Sequence, residues 1–303
     1  MEQNSLILPA VVHMLGEASV QYQVSVTKLA GIFLQARHDQ KADKGASNMK
    51  IGAMNNPAAS LYDEIEAFGR AQYDFVDLTI EGPCLDVDVD RVQGLLDDHG
   101  LFVVGHTDPC LPYAYPIKGI REACFKELAR CATIFSSLGA TIMNIHPCYA
   151  TPPCMKQALV ELNIEALKPI AEMVGGLGLC LVLENFRAPF DCVSTYETML
   201  SGVPDLKVHL DVGHTNFGAD DGEVFCRRLG NHIKHVHFSD NRSVRDDHMP
   251  LGVGNVDWQK AVASLKTIGY DETITLEVFC GNRAVRFDYL EISRNLVLDL
   301  WHR

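Results

Sequence analysis

Four short apolar runs in the second half of the chain each close on side chains able to bind a cation. They are Leu-Val-Leu-Glu184-Asn, Val-His-Leu-Asp211-Val-Gly-His214, His235-Val-His237-Phe-Ser-Asp and Ile-Thr-Leu-Glu277-Val. In a parallel barrel the carboxyl ends of successive strands converge on one mouth, where active sites sit. Glu184, Asp211, His237 and Glu277 are then expected to face one another as a metal site. Three carboxylates and one imidazole suit Mn, Mg or Co, and further histidines shift the preference toward Zn. Further candidates are present: His106 and His146 end the third and fourth strand-like runs, His214 lies three residues past Asp211, and Asp246 and His248 sit in the loop after the seventh.

The elements that must position these residues follow from periodicity. From Met49 onward strand-like and helix-like runs alternate through about eight units, the pattern of an α/β chain folded as a (β/α)8 TIM barrel. The expected strands are Lys50 to Met54, Phe75 to Ile80, Leu101 to His106, Thr141 to His146, Cys180 to Glu184, Lys207 to Asp211, Ile233 to Phe238 and Thr273 to Val278. Between the third and fourth, Ile120, Ala123, Cys124, Leu128, Cys131, Ala132 and Phe135 recur at helical steps and predict a helix over Lys118 to Leu138. Pro169 predicts a kink or early break in the helix after the fourth strand. In the last strand, period-two alternation turns Ile274, Leu276 and Val278 to the outer helices and Thr273, Thr275 and Glu277 inward, and His235 and His237 share one face. A buried carboxylate without a partner costs several kcal/mol, so an inward glutamate needs a cation or a hydrogen-bond network.

Residues 1–48 depart from this pattern and read as an N-terminal extension; residues 49–303 read as a single barrel domain. At 303 residues and 47% hydrophobic content, the chain is long and apolar enough for one such core. The formal charge of −13 disfavours nonspecific attraction to phosphate backbones. Ten cysteines without a Cys-x-x-Cys pair suggest reduced thiols in a cytoplasmic protein, and no apolar stretch has the length of a membrane span.

Several pieces taken in order carry a family resemblance: Asn144-Ile-His146-Pro, Leu183-Glu184-Asn185, Leu210-Asp211-Val-Gly-His214, Val236-His237-Phe-Ser-Asp, the stretch from Asp247-His248 through Gly252-Val-Gly254 to Trp258, and Gly269 to Glu277. With these the chain resembles the xylose isomerase-like, apurinic endonuclease-like barrel superfamily from about residue 49 to residue 301. The resemblance implies a sugar isomerase or epimerase in which Glu184, Asp211, His237 and Glu277 hold one divalent ion and the two glutamates act as acid and base. Resemblance to endonuclease IV implies an alternative, a trinuclear zinc phosphodiesterase using those four with His106, His146, His214, Asp246 and His248. It also implies a possible homo-oligomer.

For the isomerase, a metal must grip a carbonyl oxygen and its neighbouring hydroxyl so that a carboxylate can remove the adjacent proton and pass through an enediolate. For the phosphodiesterase, nucleic acid needs phosphate contacts near the mouth. The loop Asn55-Asn-Pro-Ala-Ala-Ser-Leu carries no basic residue and the loop from Glu81 to Asp90 is acidic, which favours a small sugar or sugar phosphate. A third reading, a barrel that binds a small ligand without catalysis, is opposed by the intact pair of glutamates. Remaining substrate candidates carry two readings each. Arg242 reads as a contact to a distal hydroxyl or phosphate, or as a surface residue. Tyr113 and Tyr115 belong to a lid or to a rigid loop; Trp258 stacks on a sugar or simply begins a helix capped by Asp257 or Asn255.

Overall fold

The computed structural model describes residues 49–303, and the expectation for residues 1–48 lies outside them. Strands β1 (Lys50–Met54), β2 (Phe75–Ile80), β3 (Phe102–Thr107), β4 (Ile142–Ile145), β5 (Cys180–Glu184), β6 (Lys207–Asp211), β7 (Ile233–Phe238) and β8 (Thr273–Leu276) pair in chain order, all parallel, and β8 closes on β1. The helices are α1 (Leu61–Arg70), α2 (Val89–His99), α3 (Lys118–Ser137), α4 (Leu159–Gly176), α5 (Val193–Gly202), the short α6 (Val212–Thr215), α7 (Gly222–Leu229), α8 (Trp258–Thr267) and α9 (Arg283–His302). This is a (β/α)8 barrel. Helix starts are marked by side chains that accept otherwise unpaired backbone N–H groups: Ser60 for α1, Asp88 for α2, Asp221 for α7, Asp257 for α8 and Asn282 for α9.

Alternation along the strands separates two apolar regions. Ile51, Ala53, Val76, Leu78, Met143, Leu181, Leu183, Val208, Leu210, Val236, Ile274 and Leu276 belong to the large core between barrel and helices. Phe75, Val104, Ile142 and Val182, from the alternate positions, form a separate cluster that fills the barrel. Gly52 makes room for it, because a Cβ there would lie 2.5 Å from the Phe75 ring. The β8–β1 closure is secured by Arg286 of α9, buried to 1% exposure. It pairs with Glu64 of α1 and donates to the carbonyls of Met54 and Val278.

Four expectations need correction, three strand bounds and one helix end. The third strand starts at Phe102 and runs to Thr107, and β4 and β8 stop at Ile145 and Leu276, so His146 and Glu277 follow their strands rather than ending them. Of the kink or early break expected at Pro169, the early break does not occur: helix α4 contains Pro169 and continues to Gly176. The ring faces a surface groove shared with Leu162, Glu165 and Ala166, where a lost backbone N–H costs less than it would in the core.

Candidate metal centre

At the carboxyl ends of β5 to β8, one ligand atom each from Glu184, Asp211, His237 and Glu277 lies within 4.8 Å of the others. The four residues are at most 7% exposed. Local folding fixes each of them. Asn185 and Asp211 exchange backbone–side-chain hydrogen bonds, Asn185 Nδ2 to the Asp211 carbonyl at 2.9 Å and Asp211 N to Asn185 Oδ1 at 2.8 Å, which locks the ends of β5 and β6 together. Asp211 also caps α6, its Oδ1 accepting the His214 N–H at 2.7 Å. Its other oxygen, Oδ2, is buried without a hydrogen-bond partner.

That orphaned oxygen is the observation against which a cation can be tested. Burial and the neighbouring carboxylates of Glu184, Glu277 and Asp246 push the Asp211 carboxyl up to about 7, against the pull of His214. A divalent ion would supply the missing partner and offset the crowding of three carboxylates. The donor set therefore fits a divalent metal.

The other candidates surround this quartet. His106 and His146 bring ring nitrogens within 4.8 Å of a Glu184 oxygen and form a second donor group with it. Glu184 Oε2 lies 3.2 Å from His146 Nε2, 3.1 Å from His209 Nδ1 and 2.7 Å from the donating Asn144 Nδ2. Burial would raise this carboxyl, but the imidazoles of His146 and His209 hold it well below the usual range. Beyond Asp211, His214 places Nδ1 2.8 Å from the Asn185 carbonyl and Nε2 3.0 Å from Asp246 Oδ2. Asp246 Oδ2 also lies 3.1 Å from His248 Nε2, and His248 Nδ1 is 3.6 Å from Glu277 Oε2. Despite burial, the carboxylates of Asp211, Asp246 and Glu184 push His214 up to about 10.

Asp246 and His248 reach the mouth because Asp240 organises their loop. Its carboxylate accepts from the backbone N–H of Gly252 and Val256 and from the Trp258 indole, at 2.8, 3.1 and 3.0 Å. Gly254 passes so close to Asn241 and Asp240 that a Cβ would collide with both.

The aromatic candidates lie differently. Trp258 is buried, stacked at a tilt on Phe238 and bonded to Asp240, so its surroundings are those of a packed helix start capped by Asp257. At 5% exposure its ring is enclosed by these contacts. The Tyr113 hydroxyl lies 2.8 Å from Asn163 Oδ1 and 3.0 Å from the His146 carbonyl, tying its loop to α4. Tyr115 is half-buried and its carbonyl accepts from Arg121, while Arg242 is exposed.

Reading strand ends alone misses Asp77 and His209, both fully buried inside the barrel. Parity could have found them. Asp77 follows Phe75 by two residues, and His209 precedes Asp211 by two, so each shares the inward face of its strand.

The barrel fold is shared with known proteins. A family described as xylose isomerase-like TIM barrel matches residues 60–295, and the chain belongs to it. An L-ribulose 3-epimerase of Methylomonas sp. strain DH-1 is 25% identical over 269 residues, covering 81% of this chain and 87% of the relative. The crystal structure of a D-allulose 3-epimerase from Methylomonas sp. with D-allulose superposes with a TM-score of 0.70 at 18% identity, covering 85% of this chain and 98% of that one. The IOLI protein, whose structure has a bound zinc atom, superposes with a TM-score of 0.71 at 14% identity, covering 84% and 98%.

Proposed function

We propose that the protein is a divalent-metal-dependent sugar epimerase or isomerase that moves a proton between two faces or two carbons of a ketose through an enediolate. The observation that carries this reading is the pair Glu184 and Glu277, held on β5 and just past β8 around the same donor centre as Asp211 and His237. Epimerase names among the similar proteins support it. Glu184, Asp211, His237 and Glu277 would hold the ion. When bound, it would act as a Lewis acid toward the carbonyl and adjacent hydroxyl of the sugar and so acidify the intervening C–H.

The chain's own residues supply the rest. One glutamate takes the proton and the other returns it, each poised by imidazoles: His146 and His209 beside Glu184, His237 and His248 beside Glu277. Burial of both carboxylates keeps water from competing for the intermediate. Glu81, Asp108, Asp246 and Asp247 lie on the mouth loops, so an uncharged ketose suits the site better than its phosphate. The ten cysteines are unpaired, in keeping with a reducing, cytoplasmic setting. No helix among the described residues is long and apolar enough to cross a membrane.

The test is solvent exchange. The manganese-loaded protein, incubated in deuterium oxide with D-allulose, D-tagatose or L-ribulose, is expected to incorporate deuterium at one carbon next to the carbonyl. Glu184→Gln and Glu277→Gln are expected to stop it. Incorporation that continues unchanged in both variants excludes the mechanism. A second reading, a metal-dependent phosphodiester hydrolase, is favoured by one observation, the additional donor group of His106, His146 and Glu184. Metal analysis separates the two: about one ion per chain fits the epimerase, and about three zinc ions fit the hydrolase.

A further inference from the structure

Beneath the donor quartet the barrel holds further polar side chains, of which the proposed chemistry uses only His209, beside Glu184. Asp77, His209, His235 and Thr275 are each 0% exposed. A carboxylate in such a place is costly unless it is paired and hydrogen-bonded. Asp77 concentrates its bonds on one oxygen. Its Oδ2 lies 2.7 Å from His237 Nε2, 3.1 Å from His235 Nε2 and 2.8 Å from Thr275 Oγ1, which donates to it.

The His237 contact decides how that ring can serve a metal. An imidazole has two nitrogens, and whichever one donates a hydrogen bond leaves the other to present a lone pair. With a carboxylate oxygen 2.7 Å from Nε2, that nitrogen is held as a donor whether or not a cation is present, so a cation taken up by Nδ1 and Glu277 meets a ring whose other nitrogen keeps its proton. The remaining nitrogen, Nδ1, points to the quartet, 3.1 Å from Glu277 Oε2 and 3.9 Å from Asp211 Oδ2. His235 and Thr275 act one layer further out. His235 Nδ1 rests 2.7 Å from Thr273 Oγ1, so its Nε2 and the Thr275 hydroxyl both brace Asp77 from β7 and β8. Asp77 comes from β2, two residues past Phe75, whose ring occupies the space that a side chain at Gly52 would need.

We infer that Asp77 is a positioning residue of the metal centre: it fixes His237 as the Nε2–H tautomer with Nδ1 free for the cation, and Thr275 and His235 fix Asp77. The inference rests on the proposed reading of His237 as a ligand. Partners of this kind typically govern metal affinity by about 10- to 100-fold.

The experiment is calorimetric titration of manganese into metal-free wild type, Asp77→Asn and Thr275→Val, with NMR of the imidazole nitrogens of the zinc-loaded proteins. Asp77→Asn, in which a neutral amide replaces the charged acceptor, is expected to bind manganese about 10- to 100-fold more weakly and to lose the single-tautomer signature of His237. Thr275→Val keeps the shape and removes one brace; it is expected to weaken binding several-fold, which preserves the test if Asp77→Asn does not fold. Unchanged affinity and an unchanged His237 signature in folded Asp77→Asn would overturn the inference, even if the protein melts earlier, because that is the outcome of a purely structural role. Failure of the wild type itself to bind manganese or zinc would instead overturn the metal-centre reading beneath it.

Discussion

The floor of the barrel and its mouth are built by the same strands, one pleat apart. Phe75, Val104, Ile142 and Val182 pack together as an apolar plug, and two residues further along each strand stand Asp77, His106, Asn144 and Glu184. A step of two residues advances roughly 6–7 Å and returns to the same face, so both sets point into the barrel. The plug satisfies itself. The mouth does not: Asp77 Oδ1, His106 Nδ1, Asn144 Oδ1, His209 Nε2 and Asp211 Oδ2 are buried without hydrogen-bond partners. The lower layer therefore contributes stability outright, whereas the upper layer is tolerable only in proportion to what it binds. Stability and function ought then to be separable by layer.

The largest effect expected is on the mouth. Glu184→Gln should lower the epimerisation rate constant by about 10²–10⁴-fold, the usual contribution of a positioned acid or base. Because the variant removes a carboxylate that the imidazoles of His146 and His209 hold well below the usual range, the melting temperature of the metal-free protein should fall, but by less than that of a floor variant. A metal-free melting temperature that falls by more than that of a floor variant would erase the division between layers. Next comes Phe75→Ala at the floor, which should cost about 3–5 kcal/mol in denaturant unfolding through lost burial and the cavity left behind. Manganese affinity of the folded fraction should change far less. A metal site lost together with the plug would show that the floor positions the mouth more tightly than the hydrogen bonds above it do.

Much of this was legible because alternation is a local property. The strand positions, the inward face of Thr273, Thr275 and Glu277, and the shared face of His235 and His237 all follow from a period of two. The meeting of the four donors followed from topology, since parallel closure leaves their strand ends nowhere else to go. Asp77 and His209 went unread because they lie within their strands, where attention to the terminal residue does not look. The continuation of α4 past Pro169 depended on which side of the helix meets the solvent groove, a tertiary fact. The pairing of Tyr113 with Asn163, fifty residues apart, has no local signal at all.

A smaller effect sharpens the comparison at the boundary of the layers. Gly52→Ala places a methyl 2.5 Å from the Phe75 ring and should cost about 1–3 kcal/mol by overpacking. Adding Phe75→Leu should return part of that loss, since the shorter side chain vacates the space the methyl needs. Strictly additive losses in the double variant would mean that the two sites do not share that space.

The smallest effect expected lies outside both layers, at Trp258. Its indole N–H bonds Asp240 Oδ2 at 3.0 Å, but the same oxygen also accepts from Gly252 N at 2.8 Å, so removal of the indole bond does not leave the carboxylate bare. Trp258→Phe keeps an aromatic ring against Phe238 and should cost about 1 kcal/mol, the net worth of one hydrogen bond, in chemical denaturation. Because Asp240 still holds the loop that carries Asp246 and His248, the Michaelis constant for the ketose should stay within about two-fold. A rise in that constant by an order of magnitude with stability unchanged would make Trp258 a sugar contact after all, and would extend the mouth beyond the side chains that line the barrel.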